Sequence, residues 1–512
     1  MQRKTLSVTV GTVAALAIAA AGAIVAWPDE DGDRPLTAAE KRAGKTPQDQ
    51  EKQPKDKAKL KWGKCPKELA APRVQCGSLK VPLDYDDPDG KSITIALTKM
   101  ASSDPDRRHG VLLTNPGGPG NPGLNHPALL AQAKLPDEVQ ATYDIIGMDP
   151  RGVGASTPTT CDLTAKQQAR GNFPRFAERA SDVEAEATYA RGVAKQCTTS
   201  KTAWMLPHLS TANTARDMDQ VRAALGEEKI SYLGQSYGSY LGAVYATLFP
   251  ERGDRIVLDS NLGPGGYDTT AFRLLARGMQ DRFPDFAAFA ASQPQYGLGR
   301  TPEQVAATYE DLAQRLTKKP VDGVDGTLFR GVTLDYLFAD ARLPELAKLW
   351  QALDKGGPLP SKPPVAATDN ASASRLQVLC NDSRWPRDVA AYQRAAAADR
   401  KTYPMLGGST GNITPCAFWP EPKDRPVRLS DEGPSNLLMV QNERDPGTPL
   451  VGARKLRETL RDRARMVTAD QGGHGVYPFG TNTCARDAVT AFLVDGKRPE
   501  KDLACKAQPP KG

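Results

Sequence analysis

The sequence predicts a doubly wound α/β fold, a mostly parallel sheet covered by helices on both faces and carrying a helical insertion. Three observations support this. Short apolar runs of buried-strand type alternate with stretches of helical periodicity. One run, Ile230 to Leu233, passes through Gly234-Gln235-Ser236-Tyr237-Gly238 into a small-residue amphipathic stretch, Ser239 to Phe249. The alternation stops between about Gly263 and Ser430, where Ala, Leu, Arg and Pro recur at helical spacing, and resumes at Asn436.

A chain of 512 residues has room for more than one compact unit, and one large core with an inserted lobe fits as well. The net charge of +7 is modest, and Lys and Arg are spread among acids without a basic, aromatic-studded stripe, so nucleic acid is not an expected partner. Met1-Gln2-Arg3-Lys4 followed by the apolar run Leu6 to Ala26 reads as an export signal, with an uncleaved membrane anchor as the alternative. Residues 27–60 are crowded with charge and Pro, and are expected to form a disordered linker or propeptide because they offer little apolar surface to bury. Cys65, Cys76, Cys161, Cys197, Cys380, Cys416, Cys484 and Cys505 form an even set without a close Cys-x-x-Cys pair, which argues for disulfides rather than zinc. Sequential pairing is the expected connectivity, since each neighbouring pair closes a short loop.

In order, Leu79 to Leu83 and Ser92 to Lys99 read as paired strands around Asp86-Asp87-Pro88-Asp89-Gly90. His109 to Thr114 is a buried-type strand entering Asn115-Pro116-Gly117-Gly118-Pro119-Gly120. Tyr143 to Met148 is another, ending in Asp149-Pro150-Arg151-Gly152. Cys161 to Cys197 is helical and charged, and Thr211 to Leu225 is a capped helix. The strand, turn and helix around Ser236 follow, then the strand Arg255 to Asp259. After the insertion come Asn436 to Gln441, a helix near Leu450 to Arg461, the strand Ala464 to Thr468, the loop Gln471-Gly472-Gly473-His474-Gly475 and a closing helix from Cys484 to Val494. The resulting divisions are 1–26, 27–60, a first core segment 61–262, a helical cap 263–430 and a second core segment 431–512.

Gly-x-Ser-x-Gly between strand and helix is the setting of a nucleophile elbow, a strained turn that lifts a serine Oγ above the sheet. A serine needs a base, and histidine suits near neutral pH. Of His109, His126, His208 and His474, only His474 follows Ser236, as the order Ser, acid, His of this fold requires. The acid is expected at a strand's C-terminal end between them: Asp445, in Asn442-Glu443-Arg444-Asp445-Pro446-Gly447, with Asp259 as the rival. Oxyanion donors are expected from the Tyr237 N–H and from the Gly-rich loop, at Gly118 or alternatively Gly117. No phosphate-binding Gly-rich loop and no His/Cys metal cluster appears in the sequence, so neither a cofactor nor a metal is implied.

Taken together, Thr211-Ala212-Asn213-Thr214-Ala215-Arg216-Asp217, Gly234-Gln235-Ser236-Tyr237-Gly238, Phe249-Pro250, Val257-Leu258-Asp259, Asp445-Pro446-Gly447-Thr448-Pro449 and Gly473-His474-Gly475 resemble the secreted tripeptidyl aminopeptidases of actinobacteria. These are α/β-hydrolase serine exopeptidases related to prolyl aminopeptidases. Asn115-Pro116-Gly117-Gly118-Pro119-Gly120 is similar to their oxyanion loop, with Asn115 where prolyl aminopeptidases carry His. The similarity runs from about Trp62 to Cys505. It implies Ser236, Asp445 and His474 as the triad, a cap over the active site, and release of short peptides from free N-termini; a monomer is the expected state. Such an enzyme needs an anion for the substrate's α-ammonium, for which Glu443 or an acid of the cap is a candidate. Asn121-Pro122 departs from the small residues common after the loop and bears on subsite preference. An esterase on the same scaffold and an inactive binding protein are the rival readings.

Overall fold

The computed structural model describes residues 60–356, 359 and 368–508, and the leader and linker expected over 1–60 lie outside them except for Leu60. Nine strands form one sheet: β1 (Val74–Pro82), β2 (Ser92–Met100), β3 (Gly110–Asn115), β4 (Tyr143–Met148), β5 (Ile230–Gln235), β6 (Gly253–Asp259), β7 (Leu437–Arg444), β8 (Ala464–Gly472) and β9 (Leu503–Cys505). Their order is β1-β2-β4-β3-β5-β6-β7-β8-β9, antiparallel from β1 to β4 and parallel from there on. This is the α/β-hydrolase fold. The short edge strand β9 is not foreseen from the sequence, because three residues carry no readable alternation.

Apolar side chains point alternately to the two faces of the central strands, and each face meets its own helices. Tyr232, Ile256, Leu258, Leu437 and Met439 join one buried cluster with Leu241, Val244 and Leu456 of the covering helices. Leu233, Val257, Leu438 and Val440 join the other, with Val489 and Phe492 of the closing helix Thr483–Asp495. Burial on both faces explains why these strands read as unbroken apolar runs.

Between β6 and β7 the chain is helical and has a core of its own, in which Phe283, Phe286, Tyr309, Phe329 and Trp350 pack ring against ring. The helix Ala180–Thr199, which precedes β5 in the chain, also packs here: its Val193, Ala194 and Cys197 enter the same cluster. The helical layer therefore draws on residues from both sides of the elbow. Four disulfides join sequence neighbours, Cys65–Cys76, Cys161–Cys197, Cys380–Cys416 and Cys484–Cys505. No helix among the described residues is long and apolar enough to cross a membrane.

Candidate active site

Because β3, β5, β6, β7 and β8 run parallel, their C-terminal ends share one rim of the sheet, where Ser236, Asp259, Asp445 and His474 all sit. Ser236 follows β5 directly and caps the helix Tyr237–Leu248 with φ 58° and ψ −124°, a left-handed backbone that a side-chain-bearing residue adopts only under constraint. The flanking glycines are required by space. A Cβ at Gly234 would lie 2.2 Å from the Gly238 carbonyl oxygen, and one at Gly238 would lie 2.8 Å from the Asn115 carbonyl oxygen.

Asp445 follows β7 and is buried. Its Oδ1 accepts from the Gly447 N–H at 2.8 Å and the Thr448 N–H at 2.9 Å, while the Thr448 hydroxyl donates to Oδ2 at 3.1 Å. The carboxylate faces the imidazole of His474, with Nδ1 2.8 Å from Oδ1 and 3.0 Å from Oδ2. Burial lowers the pKa of His474, but the charge and hydrogen bond of Asp445, with the charge of Asp259 behind them, outweigh it and hold the imidazole above the ordinary histidine value. His474 Nε2 has no hydrogen bond among the described residues, to Ser236 or to any other group. Catalytic contacts of this kind commonly tighten only when substrate is bound.

Asp259 does not reach the imidazole. Its oxygens accept from the Val476 N–H at 2.9 Å and the Tyr477 N–H at 2.8 Å, and the hydroxyl of Ser260 takes the Gly475 N–H at 2.8 Å. The Asp259 carbonyl accepts the Ser236 N–H at 2.9 Å. The end of β6 thus ties the serine turn to the histidine loop. Burial raises the Asp259 carboxyl to about 6, against the hydrogen bonds that favour its ionised form. Asn442 adds a tie from β7, donating to the Gly473 carbonyl at 2.9 Å.

The Gly-rich loop lies against the elbow: a Cβ at Gly117, whose φ is 89°, would fall 2.8 Å from Ser236 Cβ and 3.3 Å from Tyr237 N. The Gly117 N–H is already donated to Asn115 Oδ1 at 2.9 Å, whereas the Gly118 N–H has no acceptor among the described residues. Tyr237 opens its helix, so its N–H has no intrahelical acceptor. Asn121 folds back on this loop, its Cγ 3.2 Å from a Cβ position on Gly118. Glu443 is half-buried on β7 and has no hydrogen bond or ion pair among the described residues, whereas its neighbour Arg444 pairs with Asp285 and Asp470.

The remaining histidines are elsewhere. His109 pairs with Asp254 near the start of β3, at the opposite end of the strands, and the ring of His208 faces Asp84. His126 is buried with Nε2 3.3 Å from Gln235 Oε1, and burial pushes its pKa down to about 4, so it is neutral. Among the described residues no group of three or more His, Cys, Asp and Glu side chains is arranged to hold a metal.

Two contributions from the helical layer are missed by sequence reasoning. Phe338 packs its ring 4.7 Å from that of His474, and its carbonyl accepts the His474 N–H at 2.7 Å. The helix Asp369–Asp382 lies across the Gly-rich loop, and its last residue, Asp382, accepts from the Thr211 N–H at 2.8 Å. The Thr211 hydroxyl in turn meets the Tyr237 hydroxyl at 2.6 Å. An aromatic after a helix and an aspartate at a helix end give no local signal of such contacts.

Residues 403–505 match the family described as TAP-like protein, a stretch that holds Asp445 and His474 but not Ser236. Over a longer span the chain is 33% identical to the tripeptidyl aminopeptidase of Streptomyces lividans, across 471 residues covering 88% of this chain and 87% of that one. It is 31% identical to the serine protease Hip1 of Mycobacterium tuberculosis, covering 84% and 87%. Carboxylesterase B of the same organism is 30% identical, covering 84% and 86%.

Proposed function

Starting from a chain that belongs to the tripeptidyl aminopeptidase family and is a serine peptidase of the α/β-hydrolase fold, we propose that Ser236, Asp445 and His474 are its catalytic triad and that it releases tripeptides from free N-termini. The observation that carries the assignment is the pairing of the buried Asp445 with His474 at the rim that also holds the elbow of Ser236.

In the first step Ser236 Oγ attacks the scissile carbonyl carbon while His474 Nε2 takes the hydroxyl proton. Asp445 keeps the other proton on Nδ1 and stabilises the imidazolium. The carbonyl oxygen becomes an oxyanion facing the N–H groups of Tyr237 and Gly118. Collapse breaks the C–N bond, and His474 gives its proton to the leaving amine, leaving an acyl-enzyme. Water then attacks that ester with His474 as base, releasing the peptide acid and restoring Ser236. Glu443 supports amine recognition as an unpaired carboxylate near the site. Export is supported by the basic start and apolar run of residues 1–26 and by four disulfides, which persist in oxidising compartments.

The similarity to a carboxylesterase favours ester hydrolysis as a second reading. A tripeptide p-nitroanilide with a free amine, its N-acetylated form and a short-chain p-nitrophenyl ester separate the two. Cleavage of the free-amine peptide alone is the expected result, and Ser236→Ala abolishes it. Equal cleavage of the acetylated peptide, or preference for the ester, overturns the aminopeptidase reading.

A further inference from the structure

The helix Asp369–Asp382 does more than clasp the Gly-rich loop. A Cβ at Gly120 would lie 2.6 Å from the Ala371 carbonyl oxygen and 3.0 Å from the Arg375 backbone nitrogen, so the helix rests directly on the loop that follows β3. From that contact the same helix turns Ser372, Arg375, Leu376 and Leu379 toward an open cavity of about 80 Å³, whose other walls include Phe173, Tyr189 and Phe272.

The charges in its wall are not balanced. Arg170 and Glu186 pair with each other. Arg375 has no carboxylate partner among the described residues. Its guanidinium lies 5.2 Å from the ring centroid of Tyr267, whose hydroxyl accepts a hydrogen bond from it at 3.4 Å. Contact with the tyrosine leaves most of the guanidinium donors unused, and a planar fork of this kind is suited to a carboxylate.

We infer that Arg375 is a specificity residue that binds a carboxylate of the peptide substrate in this cavity, so that the enzyme favours acidic peptides. The inference rests on the aminopeptidase reading above. The carboxylate has two possible sources, the side chain of an Asp or Glu near the scissile bond or the free C-terminus of a short peptide.

The test uses free-amine tripeptide anilides carrying Glu or Gln at each position in turn, and tetrapeptides with a free or amidated C-terminus. Ratios of kcat/KM within one variant cancel any loss of folded enzyme. In the wild type one position shows a Glu/Gln ratio, or the tetrapeptides an acid/amide ratio, of about 10 to 100. Arg375→Gln brings that ratio to about one, Arg375→Lys keeps part of it, and Arg375→Glu takes it below one. Collapse of the side-chain ratio assigns an acidic residue, and collapse of the acid/amide ratio assigns the C-terminus. Ratios near one in the wild type, or ratios unchanged by Arg375→Gln, overturn the inference while the aminopeptidase reading stands. Failure of the wild type to cleave any free-amine peptide overturns both.

Discussion

The ends of β6 and β7 each present an aspartate to the histidine loop, and the two carboxylates hold different parts of it. Asp445 faces the imidazole itself, while Asp259 faces the backbone N–H groups of Val476 and Tyr477, two and three residues beyond His474. One orients the ring and the other the chain that carries it. Both side chains are buried, so burial alone does not distinguish a proton-orienting acid from a positioning one. The distinction lies in the donor each carboxylate meets. An imidazole changes charge during the reaction, and a backbone amide does not.

The largest expected effect follows from that difference. Asp445→Asn keeps the shape but can offer its amide to Nδ1, which favours the wrong tautomer, and kcat falls by about 10⁴-fold with KM little changed. Asp259→Asn retains one acceptor oxygen for the loop amides and leaves the Asp445–His474 pair intact. Its kcat falls by about 10- to 100-fold, as expected of a group that acts through geometry. Steady-state kinetics on the free-amine anilide measure both. Equal losses at the two positions would break the comparison and make Asp259 a second member of the acid pair. Amide hydrogen exchange sharpens it, with Val476 and Tyr477 deprotected in Asp259→Asn and unaffected in Asp445→Asn.

The pH profile separates the two further. Asp445 holds the His474 pKa above the ordinary histidine value of 6.5, so the acid limb of kcat/KM, where the base form is lost, inflects above pH 6.5 in the wild type. Residual activity of Asp445→Asn inflects at lower pH, because the stabilising charge is gone while burial still disfavours the imidazolium. Asp259→Asn moves the limb in the same direction but less, since its charge ranks below the charge and hydrogen bond of Asp445 among the influences on His474. An unchanged limb in Asp445→Asn would show that another group sets it.

Which parts of this site were readable from the residues follows from how local each contact is. The strain at Ser236 is built from its neighbours Gly234 and Gly238, and a five-residue window displays it. His474 could be singled out by chain order alone. Asp259 and Asp445 both stand at a strand's C-terminal end, and only the folded chain shows which one meets Nδ1. The residues favour Gly118 over Gly117 as a donor, and in the folded chain the Asn115 side chain occupies the Gly117 N–H, a contact that no sequence window displays. Phe338 and Arg375 had no local signal at all, because a helical lobe whose sequence specifies its own aromatic core says little about where its edges touch the sheet. The same holds for Ala180–Thr199, whose charged helical pattern gives its periodicity but not the layer that covers it.

The last effect in the comparison is thermodynamic, and its sign is opposite to that of most surface acids. The Asp259 carboxyl titrates near 6 in the folded chain against 3.8 as its ordinary value, so between those pH values the folded state binds the extra proton. Asp259 therefore contributes stability that is fully present below about pH 4 and is lost as pH rises through 6, by at most about 3 kcal/mol. Asp259→Asn cannot ionise and lacks this dependence. In denaturant unfolding, the stability of the wild type minus that of Asp259→Asn should fall between pH 4 and 7 and stay level above. A difference that instead grows with pH would mean that the hydrogen bonds from Val476 and Tyr477 outweigh burial and hold Asp259 ionised. Asp259 would then stand ionised behind the imidazole, and the separation of the two strand ends into ring holder and loop holder would lose its electrostatic basis.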